Sequence, residues 1–276
     1  MKSLQTNFEA DFIPSVSVIT PCYNAACFIS ETIESVLSQD FFEWEMLIID
    51  DCSSDESREV VESYCRFDER IKLVRLDKNM GAAYCRNVAL EASTAKYVAF
   101  LDSDDLWKPN KLSSQLEVME AGVVFSCTGY RQFFDSSDLE TGVLVDVAKV
   151  FEMYSYEDLL AKKITVGCCT VMLRREAIRN TKMPSIRSGQ DYAFWLELCR
   201  ENKLEITLIP DVLSYYRLVR GSISSNKLKK AKSQWLIYRR LEKLSLIRAL
   251  FFFGSYAVRA LVQNTNRLVK GMRLEK

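Results

Sequence analysis

Residues 97–105 constrain the fold of this chain more than any other stretch. Five apolar or aromatic residues at 97–101 are followed by three aspartates within four positions. A short, unbroken apolar run of this kind is typical of a strand that is buried on both faces of a parallel sheet. Ligands of open α/β sheets bind at the carboxyl ends of the strands. The sequence therefore predicts an acidic site at one edge of a parallel sheet.

The aspartates of this stretch, Asp102, Asp104 and Asp105, repel one another unless a cation offsets their charge. Only Ser103 separates Asp102 from Asp104, so one divalent metal and a sugar hydroxyl could share the segment. Mg²⁺ and Mn²⁺ prefer oxygen ligands and are the natural candidates. The alternative is an Asp/Ser turn before a helix that Pro109 opens. We favour the metal because turns rarely need three acids.

Strands alternate with helices over roughly the first 110 residues. Strands are predicted at 16–20, 46–49, 71–74 and 97–101, and a helix follows each of the first three. This alternation predicts an α/β fold, a doubly wound and Rossmann-like sheet. Polar residues at the strand ends then collect at one edge, among them Tyr23, Asp50, Asp51 and Gly81. No G-x-G-x-x-G follows the first strand, which argues against a phosphate cradle of the dinucleotide-binding type.

The second half of the chain is less regular. Further strands are predicted at 123–126, 170–173, 206–209 and 212–217. A helix opens at residues 188–191, and Asp191 lies in its first turn. The helix dipole stabilises a negative charge there, which suits a carboxylate base. The alternative is a simple N-terminal helix acid without a chemical role.

Composition excludes several kinds of active site. The 276 residues include no histidine, which excludes Ser-His-Asp and Cys-His catalysis and makes Asp or Glu the expected general base. Nine cysteines occur without a C-x-x-C motif. This usage predicts reduced cysteines in a cytosolic chain. Residues 1–14 lack the apolar core of a signal peptide.

Charge is unevenly distributed along the chain. Residues 217–276 carry 15 Lys and Arg but only 2 Asp and Glu, a local charge of +13 in a chain whose total is zero. A basic tail suggests contact with phosphates of lipid headgroups, of a lipid diphosphate or of nucleic acid. Nucleic acid is disfavoured because the aromatic residues there are clustered and not interleaved with the charges.

The tail is also apolar in part. Residues 244–262 are interrupted by Arg248, Gly254 and Arg259, which argues against a membrane-spanning helix. The segment is predicted either to lie in a membrane interface or to pack on the domain. We therefore divide the chain into a domain at 1–220 and a helical C-terminal extension at 221–276.

Several motifs resemble those of family 2 glycosyltransferases. The matching segments are VSVITPCYN at 16–24, IIDDCSSDES at 48–57, NMGAAYCRN at 79–87, VAFLDSDD at 98–105 and SGQDY at 188–192. The resemblance spans about residues 14–220 and implies the GT-A fold, which is a Rossmann-like, doubly wound mixed sheet, and an inverting transfer of a sugar. Later segments, from Tyr216 to Leu244, resemble teichuronic-acid-type bacterial enzymes that build surface polysaccharides on a lipid carrier.

This resemblance implies substrates and a location. The donor is expected to be a nucleotide-sugar, most naturally a UDP-sugar, and the acceptor a lipid-diphosphate-linked sugar or a glycan. The enzyme is expected to be cytoplasmic and peripheral at the inner face of the membrane. The Gln-x-x-Arg-Trp motif of processive synthases is absent, since Leu236 follows Gln234-Trp235. One sugar is therefore expected to be transferred per encounter.

The resemblance also assigns roles to residues. Asp191 is implied as the base and Asp104 as the metal ligand, with Asp102 as a second candidate. The Tyr23 ring is expected to stack on the nucleotide base, and Asp51 or its neighbour Asp50 to accept the uracil N–H. The full set of implied nucleotide-sugar contacts is Pro21, Tyr23, Asn24, Asp50, Asp51, Gly81, Arg86, Asp102, Ser103 and Arg220. Arg220 is included because many relatives have a histidine where Val219 stands, and the adjacent Arg220 could substitute for its charge.

Two other functions are considered. An inactive nucleotide-sugar-binding or scaffold protein of the same fold need not retain Asp102, Asp104 and Asp191 together. A nucleotidyltransferase would need a Gly-rich loop with Arg or Lys after the first strand, and residues 21–24 (PCYN) do not provide one. A metal-dependent sugar transferase is therefore the favoured function.

Overall fold

The computed structural model describes residues 12–134, 139–145, 147–219 and 227–274, with side chains described for 229–260 in the last range. Within these residues, ten strands form a single sheet. The strands are β1 Val16–Cys22, β2 Trp44–Asp50, β3 Ile71–Arg75, β4 Tyr97–Phe100, β5 Leu106–Trp107, β6 Phe125–Phe133, β7 Val143–Val145, β8 Glu152–Tyr154, β9 Met172–Arg174 and β10 Ile206–Arg217.

Helices connect and cover these strands. They are α1 Ile29–Leu37, α2 Ser57–Phe67, α3 Ala82–Ala92, α4 Lys111–Glu120, α5 Tyr156–Leu160, α6 Arg175–Ile178, α7 Gln190–Asn202, α8 Lys227–Leu236 and α9 Leu246–Leu274. A 3-10 turn at Cys168–Thr170 precedes β9, and a π-helical segment at Ile237–Leu241 follows α8.

The sheet is mixed and doubly wound, as predicted. Its order is β3-β2-β1-β4-β9-β6-β10-β5, with β7 paired to β6 and β8 paired to β10. Strands β3, β2, β1 and β4 are parallel to one another, whereas β9 runs antiparallel to both β4 and β6. Because β1 lies between β2 and β4, the polar loops that follow these three strands meet at one edge.

Both faces of the sheet are buried. Met46 and Ile48 of β2 belong to a hydrophobic cluster that includes residues of α1 and α4. Leu47 and Ile49 belong to a second cluster that includes residues of α3 and α7. Successive side chains of a strand point to opposite faces. A strand covered on both sides therefore needs a largely apolar sequence, which explains the apolar runs at 46–49 and 97–101 that predict β2 and β4.

The structure corrects three predicted elements. Residues 206–217 form the single strand β10, where the sequence suggests two short strands. Its register against β6 shifts between Ile209 and Val212, so Pro210 lies at an irregularity that resembles a break in the sequence. The strand predicted at 123–126 begins at Phe125 and is longer, and the one predicted at 170–173 begins after the 3-10 turn.

The C-terminal extension packs on the sheet domain. Its predicted helix is interrupted between α8 and α9 by the π-helical segment. Ile237, Tyr238 and Ala249 are buried in the same hydrophobic cluster as Trp195 of α7. Across the described part of the chain, no helix has the length and apolar content needed to cross a membrane. The predicted boundary between residues 220 and 221 falls outside the described residues.

All nine cysteines lie in described segments, and each is a free thiol. Most of them are buried, including Cys22, Cys85 and Cys199. Burial raises the pKa of each of these three thiols to about 12, so they remain uncharged. They behave as small apolar residues of the core, which agrees with the use of cysteine expected from the sequence.

Candidate functional site

The loop after β1 is fastened to the loop after β2. The Asn24 N–H donates to the Ser53 hydroxyl at 3.0 Å, and the Asn24 Oδ1 accepts from the Ser54 N–H at 2.8 Å. Asn24 therefore holds two loops in place, which makes it a structural residue of the predicted nucleotide site. Pro21 is buried within β1. Tyr23 is 51% exposed and leaves a flat aromatic surface open at the sheet edge.

Asp50 is the last residue of β2, and Asp51 follows it. Both are buried, but their hydrogen-bond partners differ. The Asp50 Oδ2 accepts from the Arg58 Nε at 2.5 Å. The two Asp51 oxygens accept from the backbone N–H groups of Met80 and Gly81, at 2.6 and 2.7 Å. Each Asp51 oxygen has a further lone pair, and the Cys85 thiol hydrogen-bonds to one of them. Asp51 is thus held rigidly by the loop after β3 while it keeps the capacity to accept one more hydrogen bond.

Gly81 is required by its backbone conformation. Its φ of +88° and ψ of 157° belong to a region that is open almost only to glycine. A Cβ added at Gly81 would meet no atom within 4 Å, so the requirement is conformational and not steric. This conformation aims the Gly81 N–H at Asp51 and starts α3 immediately afterwards.

Arg86 of α3 connects the end of β4 to the start of α7. Its Nη2 donates to the Asp102 Oδ1, and its Nη1 donates to the Gln190 Oε1 at 3.5 Å. Arg86 is only 6% exposed. Burial opposes its charge, but Asp102, Cys168 and Asp191 together outweigh burial and raise the pKa of Arg86 above its usual value. A permanent positive charge is therefore buried between two segments that carry predicted site residues.

The segment after Asp102 holds two acids that resist ionisation. Ser103 and Asp104 are half-buried, and Asp105 is fully buried. Burial raises the pKa of Asp104 to about 6, and the neighbouring Asp102 contributes further. Burial, and then Asp104 and Asp102, raises the pKa of Asp105 well above its usual value. A positive charge bound beside Asp104 would favour its ionised form.

Arg217, at the end of β10, anchors this acidic segment. Its backbone N–H donates to the Asp105 Oδ1 at 2.9 Å, and its Nε donates to the Asp104 carbonyl at 2.7 Å. Its Nη2 donates to the Glu31 Oε2 of α1 at 2.8 Å. The sequence suggested no role for Arg217, because these contacts depend on how β10 enters the sheet.

Asp191 lies in the first turn of α7, as predicted. The helix begins after Gly189, whose φ of +77° is left-handed. Asp191 is half-buried and interacts electrostatically with Arg86 and with Cys168. Cys168 had no predicted role; it is buried and interacts electrostatically with Arg86, Asp102 and Asp191. Asp102 and Asp191 thus both interact with Arg86, although they come from distant parts of the sequence.

The structure brings most of the predicted residues to one edge of the sheet. One group consists of Asp102, Ser103, Asp104, Arg86 and Asp191. The other consists of Pro21, Tyr23, Asn24, Asp50, Asp51 and Gly81. Arg220 lies outside the described residues. The arrangement combines an aromatic surface, fixed hydrogen-bond acceptors, an acidic turn and a separate carboxylate at a helix start.

Comparison with known proteins identifies the family. The family profile described as Glycosyl transferase family 2 matches residues 17–181, more than half of the chain. The chain belongs to glycosyltransferase family 2. It is accordingly a transferase of sugars, and the family resemblance of its motifs is confirmed.

Two bacterial relatives match over almost their whole lengths. TuaG of Bacillus subtilis, named as a teichuronic acid biosynthesis glycosyltransferase, is 45% identical over 90% of this chain and 96% of its own. WfgD of Escherichia coli is 38% identical over 88% of this chain and 92% of its own. WfgD is named a UDP-Glc:alpha-D-GlcNAc-diphosphoundecaprenol beta-1,3-glucosyltransferase. This family 2 member thus resembles enzymes of bacterial surface polysaccharide synthesis.

Solved structures confirm the GT-A fold of this family 2 glycosyltransferase. S. aureus TarS 1-349, in complex with UDP-GlcNAc, aligns with a TM-score of 0.68 at 24% identity and covers 82% of this chain and 65% of that one. The mannosyltransferase PcManGT from Pyrobaculum calidifontis, in complex with GDP-Man and Mn²⁺, aligns with a TM-score of 0.64 at 18% identity. The second alignment covers 96% of this chain and 81% of that one.

The acidic turn of this family 2 glycosyltransferase has a donor set that suits a divalent cation. The described residues contain no group of three or more His, Cys, Asp or Glu side chains arranged to hold a metal alone. Mg²⁺ and Mn²⁺ often bind one or two carboxylates together with substrate phosphates, so a complete protein cage is not required. Asp104 fits this role because a nearby cation would offset the burial that raises its pKa.

Proposed function

We propose that this family 2 glycosyltransferase transfers one sugar from a UDP-sugar to a lipid-diphosphate-linked or glycan acceptor, with inversion, during bacterial surface polysaccharide synthesis. The position of Arg86 carries the proposal. It contacts Asp102 on the proposed donor side and Gln190 beside the proposed base, Asp191. An inverting transfer needs a leaving-group site and a base on opposite sides of one sugar, and Arg86 connects two such regions.

The proposed nucleotide site uses the edge formed by β1, β2 and the loop after β3. The Tyr23 ring provides a stacking surface for the base. Asp51 is the first candidate acceptor for the uracil N–H, because two backbone amides fix its position and one lone pair remains after the hydrogen bond from Cys85. Asp50 is the second candidate, since its Oδ2 is paired with Arg58 while its buried Oδ1 has no hydrogen-bond partner among the described residues.

The chemistry requires a base and stabilisation of the leaving diphosphate. Asp191, in the first turn of α7, takes the proton of the acceptor hydroxyl. The hydroxyl then attacks the anomeric carbon from the side opposite UDP, which inverts the configuration. Asp104, with Asp102 as a second ligand, would hold Mn²⁺ or Mg²⁺, which offsets the charge that develops on the diphosphate. Arg86 fixes the orientation of Asp102 throughout.

The proposed partners follow from the relatives. WfgD is named for a UDP-sugar donor and for an acceptor on a diphosphate lipid, and TarS was solved with UDP-GlcNAc. A lipid-linked acceptor lies at a membrane surface, so the proposal includes peripheral contact with the inner face of the membrane from a cytoplasmic position. The local charge of +13 in residues 217–276 supports this part of the proposal.

Release of UDP tests the proposal directly. UDP-, GDP-, dTDP- and CMP-linked sugars would each be incubated with the protein and a lipid-diphosphate sugar acceptor, with Mn²⁺ or with EDTA. We expect the nucleotide to be released from UDP-sugars only, and only in the presence of Mn²⁺. Asp191→Asn should reduce the rate of transfer at least ~10²-fold, which is the low end for loss of a general base, without weakening donor binding. Glu197→Gln is the matched control, because Glu197 lies on the same helix but belongs to no part of the site.

Binding and turnover together separate this proposal from a non-catalytic function. A melting shift with UDP and Mn²⁺, without UDP release from any donor, would favour a nucleotide-sugar-binding protein. Turnover by Asp191→Asn equal to that of the native chain would exclude Asp191 as the base. The UDP affinities of the native protein and of Asp104→Ala would be compared with and without metal. If the two proteins have equal affinity under both conditions, Asp104 is excluded as the metal ligand.

A further inference from the structure

Helix α9 presents a row of large apolar side chains to solvent. Ile247 is 82% exposed and Phe251 is 71% exposed. Leu246, Leu250 and Val258 are each more than half exposed. We call these five residues the outer face of α9. Large apolar patches on the surface of soluble proteins usually mark sites of contact with a partner or a membrane.

The opposite side of the same helix is already occupied. Ala249 and Phe252 are buried in the hydrophobic core, against residues of α5 and α7. At 100° per residue, Ile247 and Phe251 lie roughly opposite these two positions. A helix that is apolar on both sides needs a second apolar environment for the side that the protein does not cover.

Basic residues surround the outer face. Arg239, Arg240 and Lys243 precede α9 and are exposed, and Arg248 and Arg259 lie at its borders. In residues 229–260 the single acid is Glu242. It is buried and accepts from the Arg200 Nε at 2.9 Å and from the Tyr156 hydroxyl at 2.7 Å. Glu157 of α5 lies 3.6 Å from the Arg248 Nη2 and partly offsets that charge, whereas no acidic side chain within residues 229–260 offsets the exposed charges of Arg239, Arg240 and Lys243.

We propose that the outer face of α9 is a docking surface for an anionic lipid bilayer. The apolar side chains enter the interface between headgroups and acyl chains, while the surrounding Arg and Lys side chains bind lipid phosphates. This arrangement needs no spanning helix, in agreement with the properties of the described helices. The docking itself is independent of the sugar transfer, but its use in meeting a lipid-linked acceptor rests on the proposed function.

The docking surface is linked to the helix that carries Asp191. The π-helical segment just before α9 packs against the start of α7, where a Cβ at Gly189 would come within 3.0 Å of the Ile237 Cδ1. The Tyr192 and Tyr238 hydroxyls lie 3.5 Å apart and extend this contact. The extension thus joins the bilayer surface to the proposed base through directly packed residues.

Vesicle flotation of the full-length chain tests the docking surface. Vesicles of phosphatidylcholine alone would be compared with vesicles that contain phosphatidylglycerol. We expect binding to the anionic vesicles only, and weaker binding at high salt. The double variant Ile247→Asp/Phe251→Asp should bind at least ~10-fold more weakly, because it removes two apolar contacts. Arg240→Gln should bind about 5-fold more weakly through loss of one charge.

Phe67→Asp is the matched control. Phe67 is 89% exposed but lies on α2, away from the extension, so this variant should float like the native chain. Equal flotation of the native chain and the double variant would overturn the proposal. A native chain that never floats would also overturn the proposal. A native dimer that the double variant converts to a monomer would overturn it too, because a second copy would then cover the outer face.

UDP binding distinguishes failure of this inference from failure of the proposed function. The Ile247→Asp/Phe251→Asp variant should keep the melting shift with UDP and Mn²⁺, because both residues are exposed and outside the nucleotide site. Loss of flotation with an intact shift supports docking by the outer face. Loss of the UDP melting shift as well would mean that the double substitution damages the fold. The docking proposal would then be decided by the flotation of Arg240→Gln and by the lipid dependence of the native chain.

Discussion

Asn87 holds the backbone of Met183 from both directions. Its Nδ2 donates to the Met183 carbonyl at 2.9 Å, and its Oδ1 accepts from the Met183 N–H at 2.8 Å. The preceding residue of α3, Arg86, contacts Gln190. Two consecutive residues of one helix therefore hold both ends of the segment that leads into Asp191.

Replacement of Asn87 by alanine should misplace this segment. Asn87→Ala leaves two backbone groups of the buried Met183 without partners, which costs about 1–3 kcal/mol for each group that stays dry. Because the segment ends at Asp191, we expect kcat to fall about 10-fold or more, while UDP affinity remains unchanged. Steady-state kinetics and UDP titration measure the two effects.

Asn202→Ala provides the control for this prediction. Asn202 also donates to backbone carbonyls, those of Ala177 and Leu198, but at the far end of α7. It should lower the melting temperature without a specific loss of kcat. Similar kinetics of the two variants would show that Asn87 contributes to stability alone.

Much of the sheet is predictable because its signals are local. Strands β2 and β4 are built on short apolar runs, at 46–49 and 97–101, and an aspartate follows each run directly. Strand β10 is different, because its continuity depends on pairing with β6 and on a register shift around Pro210. A local pattern contains no information about that distant partner, so two short strands are the natural prediction.

The same limit applies to the site. Asp102, Asp104 and Asp191 belong to short acidic motifs that are visible in the sequence. Arg217 acts through Glu31, 186 positions away, and through the Asp104 carbonyl. Such contacts leave no periodicity or spacing, and they appear only once the strand order is known.

Arg86→Lys should impair transfer although it preserves the charge. A lysine has one compact ammonium group and cannot contact Asp102 and Gln190 with the fixed fork that Arg86 uses. We expect a loss in kcat/KM of about 10-fold or more, which corresponds to roughly 1.4 kcal/mol of transition-state stabilisation. Lys182→Arg is the control, because the Lys182–Glu91 pair is exposed at the surface. Native-like kinetics of Arg86→Lys would mean that only the charge matters.

Gly81→Ala should weaken nucleotide binding through backbone strain. The substituted residue would have to adopt a φ of +88°, at a cost of about 1–3 kcal/mol, or turn its N–H away from Asp51. Gly122→Ala is a matched control, since Gly122 has a φ of +114° and equally open space around it. Both variants should lose stability, but only Gly81→Ala should lower UDP affinity in calorimetric titration. Equal UDP affinities would separate Gly81 from the nucleotide site.

Lys111 carries a charge that the fold accommodates poorly. It is fully buried at the first residue of α4, where the helix dipole disfavours a cation. Its Nζ lies 3.7 Å from the centre of the Trp107 ring and has no hydrogen-bond partner among the described residues. Burial lowers the pKa of Lys111 to about 7. Between this pH and the pKa of an exposed lysine, the unfolded chain binds more protons than the folded one, so stability rises with pH.

Lys111→Met should therefore stabilise the protein most at low pH. The variant removes the buried charge and keeps a similar volume. Its advantage in the free energy of unfolding should be greatest below pH 7 and should shrink by roughly 1.4 kcal/mol per pH unit between pH 7 and 10. Urea denaturation at pH 6, 7.5 and 9 measures the change, with exposed Lys149→Met as the control. An advantage that does not vary with pH would mean that Lys111 is charged to the same extent in the folded and unfolded states.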